Sequence, residues 1–363
     1  MITSNPTPWQ PDAWQNQMRS AFRNPGDLLE HLGLKHLTPA GLAGFPMLAP
    51  RSFVERIVHG DPQDALLLQV LPQLQETEEH AGFVRDPLGE TNSDQAFIKS
   101  PGLIQKYQGR ALMITTPACA INCRYCFRRH FPYQQHRPRD RDLALAFLRQ
   151  DASISEIILS GGDPLLMQDS ELALLLASLA QIEHIKRIRI HTRLPIVVPQ
   201  RITFELMQTL AESPAKVVVV IHSNHHQELN AETKNALDCL GQSGATLLNQ
   251  SVLLRGINDN VNDLVLLSER LFEQGVLPYY LHLPDKVANT AHFYVDTDRG
   301  QALYGGMKSR LPGYLLPRLV REVAGDIAKR EMSTEDLALV ADPPANLPQA
   351  LALTPAPAPH PDR

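Results

Sequence analysis

Four cysteines in 363 residues are too few for a disulfide framework, and three of them are clustered, so a reducing, cytoplasmic setting is expected. No apolar run approaches the ~18 residues that a bilayer-spanning helix requires, and no membrane association is expected. The N-terminal stretch, interrupted by Pro6, Pro8 and Pro11, lacks the basic-then-apolar layout of a signal peptide. Positive charge is in deficit too: 34 Lys and Arg against 39 Asp and Glu give a formal net charge of −5, which argues against a nucleic-acid surface. What is present, 43% hydrophobic and 20% charged residues, suits a globular chain long enough for one barrel-sized domain or two smaller ones.

Residues 1–100 read as a mostly helical cap, with short apolar stretches from Asp27 and Arg51 and no constellation of catalytic groups. From about residue 110, short β-rich runs recur, starting at Ala111, Glu156, Arg187, Lys216, Ala245 and Leu277. Amphipathic helix patterns lie between them, for example over 169–182 and 262–274. Six strands alternating with helices imply parallel β/α units, and their apolar character implies burial on both faces. The expected fold class is therefore α/β, a (β/α)6 partial TIM barrel over 101–341. The Ala/Pro-rich tail over 342–363 is expected to be disordered. Polar or glycine-rich segments follow the strands, at the rim where such folds bind ligands. Cys239 falls on an apolar helical face and reads as a small core residue.

Cys119, Cys123 and Cys126 are spaced C-x3-C-x2-C, which supplies three thiolates, one short of saturating a [4Fe–4S] cluster. One iron then lacks a protein ligand and can bind a small molecule. With Tyr125 before the third cysteine, the spacing resembles the radical S-adenosylmethionine (SAM) motif. Zinc is the competing reading, with His130 nearby, although the x3 spacing is unusual for zinc. Gly161 and Gly162, followed by Asp163, allow close approach to a ligand and leave amide N–H or C=O groups free to bond it, and an ordinary strand-to-helix turn would use the same residues. His191 and Arg193 follow the next strand as contacts for SAM, with a surface salt bridge as the alternative for Arg193. Arg128 adjoins the cysteine loop, where its planar fork could clamp a carboxylate, while Arg129 reads as part of a solvated basic loop. Lys329 follows a last apolar run, 315–323, where a lysine beside a glycine turn could carry pyridoxal phosphate (PLP).

Five stretches together, 119–133, 160–165, 189–198, 247–255 and 278–286, resemble the lysine 2,3-aminomutase family of radical-SAM enzymes. The likeness spans roughly 25–335 and is nearest to the short members, which make (R)-β-lysine for modification of elongation factor P. The resemblance implies a [4Fe–4S] cluster on the three cysteines, SAM held through Gly161, Gly162, Asp163, His191 and Arg193, and PLP on Lys329. It further implies Arg110 as a PLP-phosphate contact, Gln250 as a cofactor-binding residue and Arg128 on the carboxylate of substrate L-lysine. Asp285 and Glu322 correspond to two acids that hold the ε-ammonium, and two negative charges there favour a cation whatever the family. The structural-zinc cysteines of longer members are absent, so no zinc is expected. The implied reaction begins with an electron from a flavodoxin- or ferredoxin-type donor. SAM is cleaved to an adenosyl radical, the radical takes hydrogen from C3, and the amino group moves from C2 to C3. Nothing in the chain excludes a homo-oligomer. Two rival readings are a sibling aminomutase for another amino acid and a non-catalytic, metal-stabilised binding protein.

Overall fold

The computed structural model describes residues 13–41, 44–91, 97–133 and 140–332, and the expected tail from Asp342 lies outside them. A hairpin of β1 (Ile98–Ser100) and β2 (Leu103–Tyr107) begins the sheet. All six β-rich runs then form strands: β3 (Arg110–Thr116), β4 (Glu156–Gly161), β5 (Arg187–Thr192), β6 (Lys216–His222), β7 (Thr246–Val252) and β8 (Leu277–His282). The apolar run after residue 315 adds β9 (Arg318–Arg321), followed by β10 (Arg330–Glu331). Strands β3 to β9 are parallel, each beside its sequence neighbour, whereas β1, β2 and β10 pair antiparallel. The ten-stranded sheet keeps the order β1 to β10 and is not closed, as a partial barrel requires. β-Branched residues drive the central strands, and in β6 Val217, Val219, Val220 and Ile221 are all buried.

The expected cap is less helical than its composition suggested. Four short helices occur in its described residues, α1 (Ala13–Arg19), α2 (Pro25–His31), α3 (Arg51–Val54) and α4 (Ala65–Leu68), joined by irregular backbone. Glycine and proline stop each run before it gains the length that sustains a helix by itself. Tertiary packing holds these segments instead. Trp14, Leu28, Phe53 and Leu71 share one buried cluster with Leu159, Ile190 and Val219 of the sheet. Ser52 Oγ donates to the Val197 carbonyl at 2.7 Å, and Arg56 Nη2 to that of Ile196 at 2.6 Å. Each apolar side chain buried in that shared core contributes ~1.5–3 kcal/mol, so segment and barrel stand or fall together.

The outer layer is α5 (Asp140–Gln150), α6 (Asp169–Ala180), α7 (Leu194–Val197), α8 (Phe204–Ala211), α9 (Ala231–Gln242), α10 (Val261–Glu273) and α11 (Thr297–Lys308). In α10 the buried residues Val261, Leu264, Leu267 and Leu271 recur at helical spacing, and the Asn260 side chain caps the start by accepting from Asp263 N at 2.9 Å. Cys239, on α9, is half-buried against the main core, as its apolar surroundings suggested.

Candidate active site

The cysteine loop leaves the end of β3 and is gripped from two sides. On one side stands the end of β4. Gly162 N donates to the Thr116 carbonyl at 2.7 Å and Asp163 N to that of Ala118 at 2.8 Å. Gly161 has a φ of +121°, and a Cβ on Gly162 would lie 1.9 Å from Ala118 O. The N–H groups of Gly162 and Asp163 are therefore taken by the loop carrying the cysteines, which leaves backbone carbonyls as the groups open to a ligand there. The Asp163 carboxylate is committed as well. It accepts from Thr192 Oγ1 at 2.7 Å and from Arg193 N at 2.7 Å, and burial pushes it up to about 6. Gly162→Ala should force the loop away and lower cluster iron per chain by at least about half while the far-UV circular dichroism is kept, since overpacking against rigid backbone has no cheap relief.

On the other side stands the N-terminal segment. Asn122 N donates to the Leu48 carbonyl at 3.0 Å and Arg124 N to that of Gln69 at 2.9 Å. The fully buried Glu76 takes Arg124 Nε at 2.8 Å and Arg129 Nη2 at 2.9 Å. Arg129 is thus buried and paired, not solvated as expected, because an internal carboxylate awaited it. Arg193 extends the same support to sulfur. Its Nη1 lies 2.7 Å from Cys123 Sγ, and Nη2 donates to Gln69 at 2.6 Å and to Glu228 at 2.9 Å. Its salt bridge is buried rather than superficial.

The three thiols line the cavity. Burial, then the neighbouring Cys126, pushes Cys119 up; burial, then Cys123, pushes Cys126 up to about 11. Such crowded thiols become comfortable as thiolates only when a metal centre supplies positive charge. His130 bonds the Ala288 carbonyl at 3.2 Å and does not line the cavity.

A line of alternating charge crosses the remaining wall. Arg128 donates from Nε and Nη2 to the two oxygens of Glu90, at 2.7 and 2.8 Å. Lys106 Nζ lies 2.7 Å from Glu90 Oε1 and 2.8 Å from Glu322 Oε1, and Lys329 Nζ lies 2.6 Å from Glu322 Oε2. Burial alone would raise Glu90, but the charge and bonds of Arg128 and then Lys106 hold it at about 2. Glu322 is likewise held well below the usual carboxylate range, against its burial, by Lys329 and Lys106. Both oxygens of Glu322 are therefore occupied, and it does not form the free two-acid pair expected with Asp285. Asp285 faces the cavity with no ion pair among the described residues. Burial and then the Glu322 charge push it up to about 7.

Glu90 and Lys106 escaped the sequence reading. Glu90 stands in the segment set aside as non-catalytic, and Lys106 in a hairpin strand that was not recognised. Only a charge balance over the wall, which needs the fold, calls for a buried acid between Arg128 and a lysine. Elsewhere Arg110 stacks over Tyr107 at 4.6 Å, and Gln250 Nε2 meets His222 Nε2 at 2.9 Å. His191 stands edge-on to His222 at 5.8 Å. Burial first, helped by neighbouring cations, keeps His191 and His282 well below their ordinary value and His222 at about 3, so all three imidazoles are neutral. His225, His226 and Asp263 form a separate group whose ring nitrogens reach the carboxylate at 3.5 and 3.3 Å, outside the cavity.

All fourteen residues given a catalytic, cofactor or cluster role from the sequence line one cavity of about 340 Å³. The radical SAM superfamily model matches residues 113–265. The L-lysine 2,3-aminomutase of Buchnera aphidicola is 45% identical over 323 residues, covering 87% of this chain and 94% of that protein. The enzyme of that name from Escherichia coli is 42% identical over 342 residues, covering 92% and 98%, and that of Clostridium subterminale 32% over 319 residues, covering 86% and 76%. The chain belongs to the lysine 2,3-aminomutase family. As a member of that family of radical SAM isomerases, it is implied to use a [4Fe–4S] cluster, SAM and PLP. The residues present fit those groups. Three open thiols offer the cluster's donor set, and the cavity volume falls in the ~300–1,000 Å³ range of small-molecule sites. An amine, Lys329, faces the same space. Among the described residues no helix is long and apolar enough to cross a membrane.

The raised Asp285 yields a pH prediction. The group is protonated below about 7 and can hold an ammonium only above it. kcat/KM for a cationic amino acid should fall ~tenfold per pH unit below 7, and Asp285→Asn should flatten that limb at a lower plateau. The same burial makes Asp285 a stability penalty that grows as pH climbs from the ordinary aspartate value of 3.8 towards 7, since the unfolded chain releases this proton first.

Proposed function

We propose that this aminomutase moves the amino group of L-lysine from C2 to C3 in a PLP-dependent radical reaction, giving (R)-β-lysine, and that the product serves modification of elongation factor P in the cytoplasm. In this reading Cys119, Cys123 and Cys126 hold the cluster, and Gly161, Gly162, Asp163, His191 and Arg193 form the wall for SAM. Lys329 anchors PLP, with Arg110 and Gln250 as further contacts. A flavodoxin- or ferredoxin-type protein delivers the electron. The observation that carries the proposal is the single cavity: thiols, an anion-binding guanidinium, an unpaired acid and an amine all face the same 340 Å³.

When bound, the cluster and SAM supply a primary carbon radical, and PLP supplies a π-system that lowers the energy of a radical on the migrating group. The chain's residues do the positioning. Arg128 receives the α-carboxylate on its outer edge, and Asp285 the ε-ammonium, so that C3 and not another carbon lies nearest the radical. His191, His222 and His282 are neutral and add no further positive charge to the cavity wall. Arg193 keeps Cys123 fixed from behind.

The test is anaerobic reconstitution, reduction, and incubation with PLP, SAM and L-lysine. Formation of β-lysine above a Cys126→Ala control supports the proposal; its absence with a fully loaded protein overturns it. A panel of amino acids in the same assay separates lysine from other substrates.

A further inference from the structure

Arg128 presents two edges that can each grip a carboxylate, and only one is turned inward to the protein. Nε and Nη2 form the side edge, and both bond Glu90, at 2.7 and 2.8 Å. Nη1 and Nη2 form the end edge, and Nη1 meets only Ser160 Oγ at a weak 3.4 Å in the cavity wall. The side edge is therefore consumed by a residue of the chain itself, and the end edge is left for a ligand. The same Glu90 carboxylate accepts from Lys106 at 2.7 Å, and Lys106 continues at 2.8 Å to Glu322. Glu90 is 3% exposed, so its bonds are little screened by solvent.

We infer that Glu90 is the positioning residue that sets the span of the substrate subsite. Its two oxygens together aim Arg128, and the bond of Oε1 to Lys106 places Glu322 beside Asp285 at the opposite pole. This rests on the reading of Arg128 as the carboxylate-binding group. A single buried acid then ties the anion-binding end of the cavity to the cation-binding end, so an amino acid is measured by length between them. Glu90 borders the same cavity, but both its oxygens are taken by Arg128 and Lys106, and it acts through them.

The test compares Glu90→Gln with Lys106→Gln in the reconstituted holoenzyme. Two ligands report separately: L-lysine, which uses both poles, and L-norleucine as competitive inhibitor, which has the carboxylate and no ammonium. For Glu90→Gln, KM for lysine and Ki for norleucine should both rise on the order of 10- to 100-fold, as expected for losing a charge-assisted bidentate pair. kcat should change far less, and iron and PLP content should stay at the wild-type level. For Lys106→Gln, KM for lysine should rise while Ki for norleucine stays within about twofold. Unchanged KM and Ki in Glu90→Gln would overturn the inference. Should that protein not accumulate, Lys106→Gln decides: a lysine-only effect supports the inference, and an unchanged KM or equal effects on both ligands overturn it. A wild-type enzyme that fails to turn over lysine refutes the functional reading instead, which keeps the two failures apart.

Discussion

Lys329→Ala is expected to abolish β-lysine formation, by on the order of 10³-fold or more, and to remove the covalent attachment of PLP while cluster iron stays unchanged. The structure explains why the fold should tolerate the change. Lys329 holds Glu322 at 2.6 Å, but Glu322 keeps its second partner, Lys106, at 2.8 Å. The carboxylate is not abandoned in the interior, so the cost should be ~1–3 kcal/mol, well short of breaking an isolated buried pair. Borohydride reduction of the holoenzyme followed by peptide mass mapping should find the pyridoxyl label on Lys329 in the wild type and nowhere in the variant. A label on another lysine would displace Lys329 from its assignment.

Cys123→Ala should be as damaging by a different route. Losing one of three thiolates leaves a cluster without its protein ligand set, and no radical can be started. β-Lysine should fall below detection, with iron and sulfide per chain reduced in parallel. Here too the surroundings persist, because Arg193 retains Gln69 at 2.6 Å and Glu228 at 2.9 Å when the sulfur is gone. A thermal unfolding midpoint close to that of the wild-type apoprotein, together with lost iron, would separate cluster loss from general collapse. Retained iron and retained turnover would remove Cys123 from the ligand set.

How much of this was legible in the chain depends on what kind of signal each feature leaves. The six central strands were readable because runs such as Lys216–His222 must be apolar on both sides of a parallel sheet. The hairpin β1–β2 was not, since its strands are short and carry Lys99, Gln105 and Lys106, which breaks any apolar run. The cysteine spacing, Arg128 and Lys329 were found because local pattern or family resemblance marks them. Asp285 and Glu322 were found but misjudged in relation to each other. Glu322 is paired and Asp285 is not because Lys106, 216 residues from Glu322, reaches only the former, and no local pattern carries that information. The glycines 161 and 162 were recognised for their freedom, yet the reason for it lay in the cysteine loop that crosses them.

The grip of the N-terminal segment on that loop has a consequence for how the polypeptide is made. Glu76 leaves the ribosome before its partner Arg124, which follows 48 residues later, and Ser52 precedes Val197 by 145. Until those partners emerge, the segment carries a carboxylate meant for the interior and an apolar face with nothing to cover it. It cannot finish folding ahead of the rest, so this protein should mature as one late, cooperative event and not as a cap followed by a barrel.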